Sequence, residues 1–160
     1  MNILHIAITL LSFCSDDEMP FKNDPPDQST VNKTILVQLV NAARKTGYKC
    51  GDTYYKAAPP VVWNEVLEFA ALAHSADMDN KKFFSHISSN GVNPGNRLDE
   101  VGYKWKTYGE NIAMGYSNER EVVQGWLKSP GHCKNIMNSK FTEMGVAKVG
   151  KYWTQDFATK

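Results

Sequence analysis

Apolar residues recur with the period of an α-helix in two segments of the first half of the chain. Over residues 33–47 the apolar positions fall three and four residues apart, and Gly47 ends the pattern. Asn64 is placed to cap a longer helix that runs to about Lys82. Both segments predict amphipathic helices that turn one face toward a core.

The second half of the chain predicts a third helix, a helical turn and a terminal hairpin. Ser117 or Asn118 is placed to cap a helix that ends near Lys128, and residues 132–137 predict one further turn. Alternating apolar and polar positions follow on both sides of residues 150–151, which is typical of a β-hairpin with a two-residue turn.

The order of these elements indicates the fold class. Residues 83–107 contain several glycines and a proline, and predict a loop with one short helix around 97–101. Helices come first and strands last, with no repeated strand–helix unit. An α+β fold with an antiparallel sheet is therefore favoured over a parallel α/β sheet.

Length and charge narrow the possible functions. The chain has 160 residues, enough for one domain, and its 18 Lys and Arg against 17 Asp and Glu give a net charge of +1. This balance lacks the basic surface that sequence-independent binding of nucleic acid requires. We expect one globular domain and no nucleic-acid partner.

The N-terminal residues predict an export signal and a linker. Residues 1–13 are uncharged and mostly apolar, which suits a signal peptide but is too short to span a bilayer. Cys14 and the acidic residues after it resemble a bacterial lipoprotein signal, in which the cysteine is lipidated. An ordinary cleaved signal is the alternative. Residues 14–32 predict an acidic, proline-containing linker, and residues 33–160 the folded domain.

The cysteine count agrees with an exported protein. If Cys14 carries lipid, Cys50 and Cys133 remain as an even pair that can form a disulfide. Such a bridge would close a long loop, which the chain-entropy model values at roughly 4–5 kcal/mol. Two buried free thiols are the alternative.

Separate short segments of the chain resemble one family. They occur in order over about residues 35–158 and together resemble the CAP superfamily, which comprises cysteine-rich secretory proteins, antigen 5 and plant pathogenesis-related proteins. The resemblance is greatest to the compact bacterial extracellular branch. The segments are VNAAR at 40–44, FSH at 84–86, YGENIA at 108–113, WLKSPGH at 126–132 with NIM at 135–137, and YWTQDF at 152–157.

The resemblance implies a fold and a site. The family fold is a three-layer α-β-α sandwich with a central sheet, and its cleft is built around two histidines and two glutamates. His86, Glu110 and His132 match three of these positions. Ser129 fills the position of the second glutamate, as in the bacterial branch, which removes one carboxylate from the site.

Two readings of the matched residues stay open. Two imidazoles and one carboxylate can bind zinc with one position left for water, which would allow a metal-dependent hydrolase. The same residues can instead form a hydrogen-bonded polar floor in a ligand groove, with Glu110 fixing the tautomer of a histidine. The residue types alone favour the groove, or a weak metal site, over a hydrolase.

A serine-type hydrolase is a further alternative. It would use Ser129 or Ser85 as nucleophile, with His132 or His86 as base and Glu110 as the orienting acid. The chain contains no Gly-x-Ser-x-Gly motif to support this.

Two other polar residues have simpler explanations. His74 lies on the apolar face of the long predicted helix, where a hydrogen-bonded core histidine is favoured over a ligand. Asn111 is expected at a turn or at the start of a strand, where its amide either satisfies backbone groups or contacts the ligand.

These observations predict an exported protein, either a lipoprotein at the outer membrane or cell surface or a secreted or periplasmic protein. We expect a monomer that touches the membrane only through its lipid anchor and binds a lipid, a sterol or a cell-envelope component, with zinc or another divalent cation as a possible cofactor. Alternatives are a metal-dependent or serine-type hydrolase and a surface adhesin. The expected groove is lined by His86, Glu110, Asn111, Ser129 and His132.

Overall fold

A computed structural model describes residues 30–160. The predicted signal peptide 1–13, Cys14 and most of the predicted linker lie outside the described residues. The helices and strands are α1 (Lys33–Thr46), β1 (Tyr48–Cys50), β2 (Thr53–Tyr55), β3 (Val62–Trp63), α2 (Glu65–Lys81), α3 (Pro94–Glu100), β4 (Thr107–Met114), α4 (Glu119–Lys128), α5 (Pro130–Ile136), β5 (Glu143–Val149) and β6 (Tyr152–Thr159).

The predicted starts of α2 and α4 are confirmed because asparagine caps act locally. The side chain of Asn64 accepts hydrogen bonds from the amides of Val66 and Leu67, at 2.9 and 3.2 Å. Asn118 caps α4 in the same way, accepting from the Glu121 amide at 3.0 Å. The packed unit begins slightly before the predicted boundary, since Val31 packs against the core and Asn32 caps α1.

The α+β class is confirmed, but the sheet is mixed. Its strand order is β3-β5-β6-β4, with β5 and β6 forming the predicted hairpin. Strand β3 runs parallel to β5, contrary to the expectation of a fully antiparallel sheet. The chain leaves β3 through α2 and reaches β5 only after β4, α4 and α5, and a long crossover of this kind allows the two strands to run parallel.

Other differences concern short elements. Strands β1 and β2 form a separate hairpin that the apolar pattern did not predict. Helix α3 begins at Pro94 rather than near residue 97, because Asn93 caps it and proline occupies its first turn. Likewise α5 begins at Pro130, so residues 132–137 are not the start of a new turn.

Alternation along the strands separates the two faces of the sheet. On one face α2 packs against β5 and β6, and a Cβ at Gly145 would lie 2.1 Å from the Glu68 amide nitrogen. On the other face α1, α4 and α5 cover a core that contains Trp126, Trp153 and Phe157. Helices on both faces give the predicted three-layer sandwich.

Two connections hold α5 in this second layer. A disulfide joins Cys50, at the end of β1, to Cys133 in α5, with the two Cα atoms 5.5 Å apart, which confirms the predicted pairing. The buried guanidinium of Arg44 donates to four backbone carbonyls at 2.7–2.9 Å, and burial lowers the pKa of Arg44 to about 10, so the group stays charged at neutral pH. These carbonyls belong to Pro59, Ile136, Asn138 and Phe141.

Candidate functional site

The matched residues meet at β4, an edge strand of the sheet. Successive side chains of a strand point to opposite faces, so Glu110 faces the α2 layer and Asn111 faces α5. Glu110 is buried at 7% exposure and pairs in register with Asp156 of β6. The site is therefore divided between the two sides of one strand.

His86 reaches Glu110 from the segment that follows α2. Its Nδ1 lies 2.6 Å from Oε1 of Glu110. A carboxylate oxygen accepts hydrogen bonds, so Nδ1 donates to Glu110, and in the tautomer that donates from Nδ1 the lone pair lies on Nε2. Within residues 30–160 this Nε2 has no hydrogen-bond partner, and the side chain is 49% exposed. The site thus presents an oriented imidazole acceptor to solvent.

Arg97 of α3 holds both of these groups. Its Nη2 donates to Oε2 of Glu110, and its Nη1 donates to the His86 carbonyl at 3.0 Å. Nη1 also donates to Ser88 Oγ and to the Val92 carbonyl, which fixes the loop after His86. Both carboxylate oxygens of Glu110 are consequently engaged, and the negative charge is matched by a buried cation.

Asp156 adds a second buried carboxyl next to Glu110. It is 2% exposed, and its Oδ2 has no hydrogen-bond partner in the described part of the chain. Burial raises the pKa of Asp156 well above its ordinary value, and the negative charge of Glu110 raises it further. The raised pKa favours the neutral form of Asp156 beside the carboxyl group of Glu110.

His132 approaches the same strand from the opposite layer. Burial lowers the pKa of His132, and the positive charge that His86 carries when protonated lowers it further. The backbone of His132 is held by Asn111, whose Nδ2 donates to its carbonyl at 3.2 Å. Asn111 also accepts from Asn135 and donates to Gln155.

Asn111 lies within β4 and not at a strand start, and it is fully buried with its amide engaged by protein groups. It positions α5 and does not face solvent. His74 is fully buried, and burial lowers its pKa. Its Nε2 lies 2.8 Å from the Ser85 carbonyl, which confirms a hydrogen-bonded core histidine.

Neither candidate serine is paired with a histidine ring as a nucleophile would be. Ser129 ends α4 and begins α5, and its side chain makes no capping hydrogen bond. The hydroxyl of Ser85 accepts from the Ile87 amide at 3.0 Å. In residues 30–160 no hydrogen bond joins either hydroxyl to His86 or His132.

The arrangement does not fit a three-ligand zinc site. Both oxygens of Glu110 are engaged by His86 and Arg97, and Nδ1 of His86 faces the carboxylate. Among the described residues, no group of three or more His, Cys, Asp or Glu side chains could hold a metal ion. The divalent cation stays a prediction.

Two functional residues were not predicted from the sequence. For Arg97, the sequence shows only that it lies in a short predicted helix, which does not indicate a role in the site. For Asp156 the sequence does give an indication, since the alternation of β6 puts it on the same face as Tyr152 and Thr154. Charged residues are rarely buried unless they are paired, so an aspartate on the buried face of a strand indicates a polar site there.

Comparison with known proteins supports the family. The family model of the cysteine-rich secretory protein family, CAP, matches residues 37–157. The Bacillus subtilis protein YkwD is 40% identical over 138 residues, which cover 84% of this chain but 50% of YkwD. The chain therefore spans half the length of this relative.

Solved structures show the same fold. An extracellular protein with an SCP domain from Bacillus anthracis superposes with a TM-score of 0.69 at 33% identity, covering 80% of this chain and 40% of that one. An outer surface protein of Borrelia burgdorferi gives a TM-score of 0.67 at 19% identity, covering 79% of this chain and 91% of that one. The helices within residues 30–160 include none with the length and apolar character to cross a bilayer. On these matches and the site geometry, the chain belongs to the cysteine-rich secretory protein (CAP) family and contains the bacterial SCP-type domain.

Proposed function

We propose that this CAP-domain protein binds a ligand outside the cytoplasm, and that Nε2 of His86 is the polar atom that receives it. The observation that carries the proposal is the pairing of His86 Nδ1 with Glu110, which leaves an oriented acceptor on a half-exposed ring. An acceptor of this kind suits a ligand with a hydroxyl or N–H donor. Sterols, lipid headgroups and cell-envelope sugars all carry such donors.

Binding is favoured over hydrolysis by what surrounds the imidazole. A serine hydrolase needs a hydroxyl within hydrogen-bond reach of its base. Ser129 and Ser85 make no such bond to His86 or His132 in the described residues. The buried Arg97 and Glu110 instead fix the position of the ring, which is the arrangement expected of a preorganised contact.

The experiment is a calorimetric titration with three separate probes. The probes are a free sterol, phosphatidylglycerol below its micellar concentration and a muramyl peptide, tested on wild type, His86→Ala and Ser129→Ala. We expect at least one probe to bind wild type and Ser129→Ala equally, and His86→Ala to lose that binding. Because His86→Ala removes one hydrogen bond from the buried Glu110 carboxylate, its melting temperature should fall modestly, and a cooperative melting transition checks that the variant is folded.

Two results would contradict the proposal. One is the absence of binding by all three probes, and the other is unchanged binding by His86→Ala. Hydrolysis of a probe that disappears in Ser129→Ala would favour the serine-type enzyme instead.

Anchoring is part of the same proposal. The extracellular and outer-surface proteins among the structural neighbours support a location outside the cytoplasm, and the cysteine at position 14 supports a lipid anchor. Labelling of cells with a radioactive fatty acid should mark the wild-type chain and not Cys14→Ser. Equal labelling of both chains, or of neither, would contradict lipidation at Cys14.

A further inference from the structure

Exposed apolar side chains collect at the end of the sheet where β4 stops and the β5–β6 turn lies. Phe84 is 49% exposed and Met114 is 45% exposed. Both lie beside the buried Tyr152, since the Phe84 and Tyr152 ring centroids are 6.4 Å apart and Met114 pairs in register with Tyr152. Two large apolar side chains thus share one exposed patch.

Lysines border the same patch. The Lys151 ammonium lies 5.5 Å from the centroid of the Tyr152 ring. Lys82 follows the C-terminus of α2 and lies 3.2 Å from Asp79, which itself lies against Gly150 of the turn. Lys81 is also exposed. With Asp79 as the one acid that these contacts place here, the patch carries net positive charge. We call these residues, Phe84, Met114, Lys81, Lys82 and Lys151, the basic apolar end.

Two other large exposed apolar side chains lie in a different electrostatic setting. Val66 and Phe69 are 38% and 45% exposed on α2, close to Glu65 and Glu68. The two glutamates are bound there by Lys33. That region has acidic residues among its apolar ones, so it lacks the combination found at the basic apolar end.

We propose that the basic apolar end docks the folded domain on an anionic lipid bilayer. Apolar side chains that project between lysines can enter the headgroup region, while the ammonium groups stay in the interface and attract acidic lipids. The inference goes beyond the proposed function and does not depend on it. It also goes beyond the expectation that only a lipid anchor touches the membrane.

The position of the basic apolar end determines how the domain would be oriented on the bilayer. Phe84 is two residues from His86, whose free Nε2 is the acceptor described above. A domain seated on the bilayer through Phe84 and Met114 would therefore hold the His86 ring close to the interface. The lysines would contribute roughly a fivefold change in affinity each, and salt would weaken this contribution.

The test is co-sedimentation with phospholipid vesicles. The protein is the chain from residue 15 onward, which keeps the whole described unit and carries no lipid. The vesicles are phosphatidylcholine with phosphatidylglycerol, or phosphatidylcholine alone. We expect binding to the anionic vesicles, weaker binding at high salt, and little binding to the neutral ones.

Two double variants test separately the insertion of the apolar side chains and the attraction of the lysines to acidic lipids. Phe84→Ser/Met114→Ser should lose most binding, and Lys82→Asn/Lys151→Gln should weaken it by more than tenfold. Asparagine suits position 82 because Lys82 has a φ of 54°, in the left-handed region. The matched controls are Val66→Ser/Phe69→Ser and Lys104→Asn/Lys106→Gln, the latter just before the opposite end of β4. Both should bind like wild type.

Several outcomes would overturn the inference. These are no binding of wild type, equal binding to neutral vesicles, or an equal loss in the control and test variants. A dimer held together by Phe84 and Met114, detected by sedimentation without vesicles, would also replace it. A loss of sterol or muramyl-peptide binding in His86→Ala leaves these results unaffected, so the two proposals fail separately.

Discussion

The two buried arginines of this domain find hydrogen-bond partners for their guanidinium groups in different ways. Arg44 satisfies its guanidinium with backbone carbonyls alone, whereas Arg97 pairs with a carboxylate, a hydroxyl and two carbonyls. Within the described residues Arg97 also leaves its Nε without a partner. Backbone carbonyls do not titrate and are held by the chain, so the hydrogen bonds of Arg44 stabilise the scaffold of the domain. Arg97 instead contacts Glu110 and His86, two residues of the candidate site.

The largest effect should come from removing the scaffold arginine. Arg44→Met keeps the volume but leaves four carbonyls without this donor. At the lower end of about 1–3 kcal/mol for each unsatisfied carbonyl, we expect a loss of about 4–5 kcal/mol in the free energy of unfolding. Urea denaturation measures the loss. Lys45→Met, one residue away and exposed, is the control and should stay close to wild type. A small loss in Arg44→Met would mean that water replaces the guanidinium.

Arg97 should give a smaller loss that a second substitution reduces. Arg97→Met leaves the buried Glu110 charge uncompensated, for which we expect about 3 kcal/mol. In Arg97→Met/Glu110→Gln neither position of the buried pair is charged, so the double variant should be more stable than the sum of the two single losses predicts. A double-mutant cycle by urea denaturation measures this coupling. Additive losses would show that the pair is not coupled, and that Arg97 resembles Arg44.

The smallest effect should be a pH-dependent gain in Asp156→Asn. The unfolded carboxyl releases its proton above its ordinary pKa of 3.8, while the folded one keeps it, so folding takes up a proton and wild-type stability falls as pH rises. Asparagine removes this dependence. We expect the variant to gain stability relative to wild type from about pH 4 toward pH 8.

Denaturation curves across that range test the gain. Asp99→Asn, at an exposed position of α3, is the matched control and should show no such trend. A variant that loses stability at every pH would indicate that Asp156 is ionised in the folded protein.

Local features were predictable from the sequence, whereas distant contacts were not. Asn64 and Asn118 act on amides two or three residues away, so their capping role is visible in sequence. The Arg44 bonds to the α5–β5 connection span 92 to 97 residues, and no sequence pattern marks them. The short strands β1 and β2 have three residues each, too few to show alternation.

The site was predictable in part. The family resemblance gave His86, Glu110 and His132, and the structure joins the first two by a hydrogen bond. It did not give Arg97, because an arginine in a short helix has the same local pattern whether it is exposed or buried. The buried charge depends on the packing of α3 against β4, which is a tertiary property.

The contact at Gly145 has a consequence for how the site tolerates change. Helix α2 rests backbone to backbone on β5 there, and its other end lies against Gly150 through Asp79. A helix of 17 residues is about 25 Å long, so contacts at both of its ends determine the direction of its axis. The segment that carries His86 begins at the C-terminal end of α2. Exposed side chains of α2 that do not contact the segment after the helix can therefore be redesigned with little displacement of the imidazole, whereas any residue larger than glycine at position 145 would tilt the helix and misplace the site.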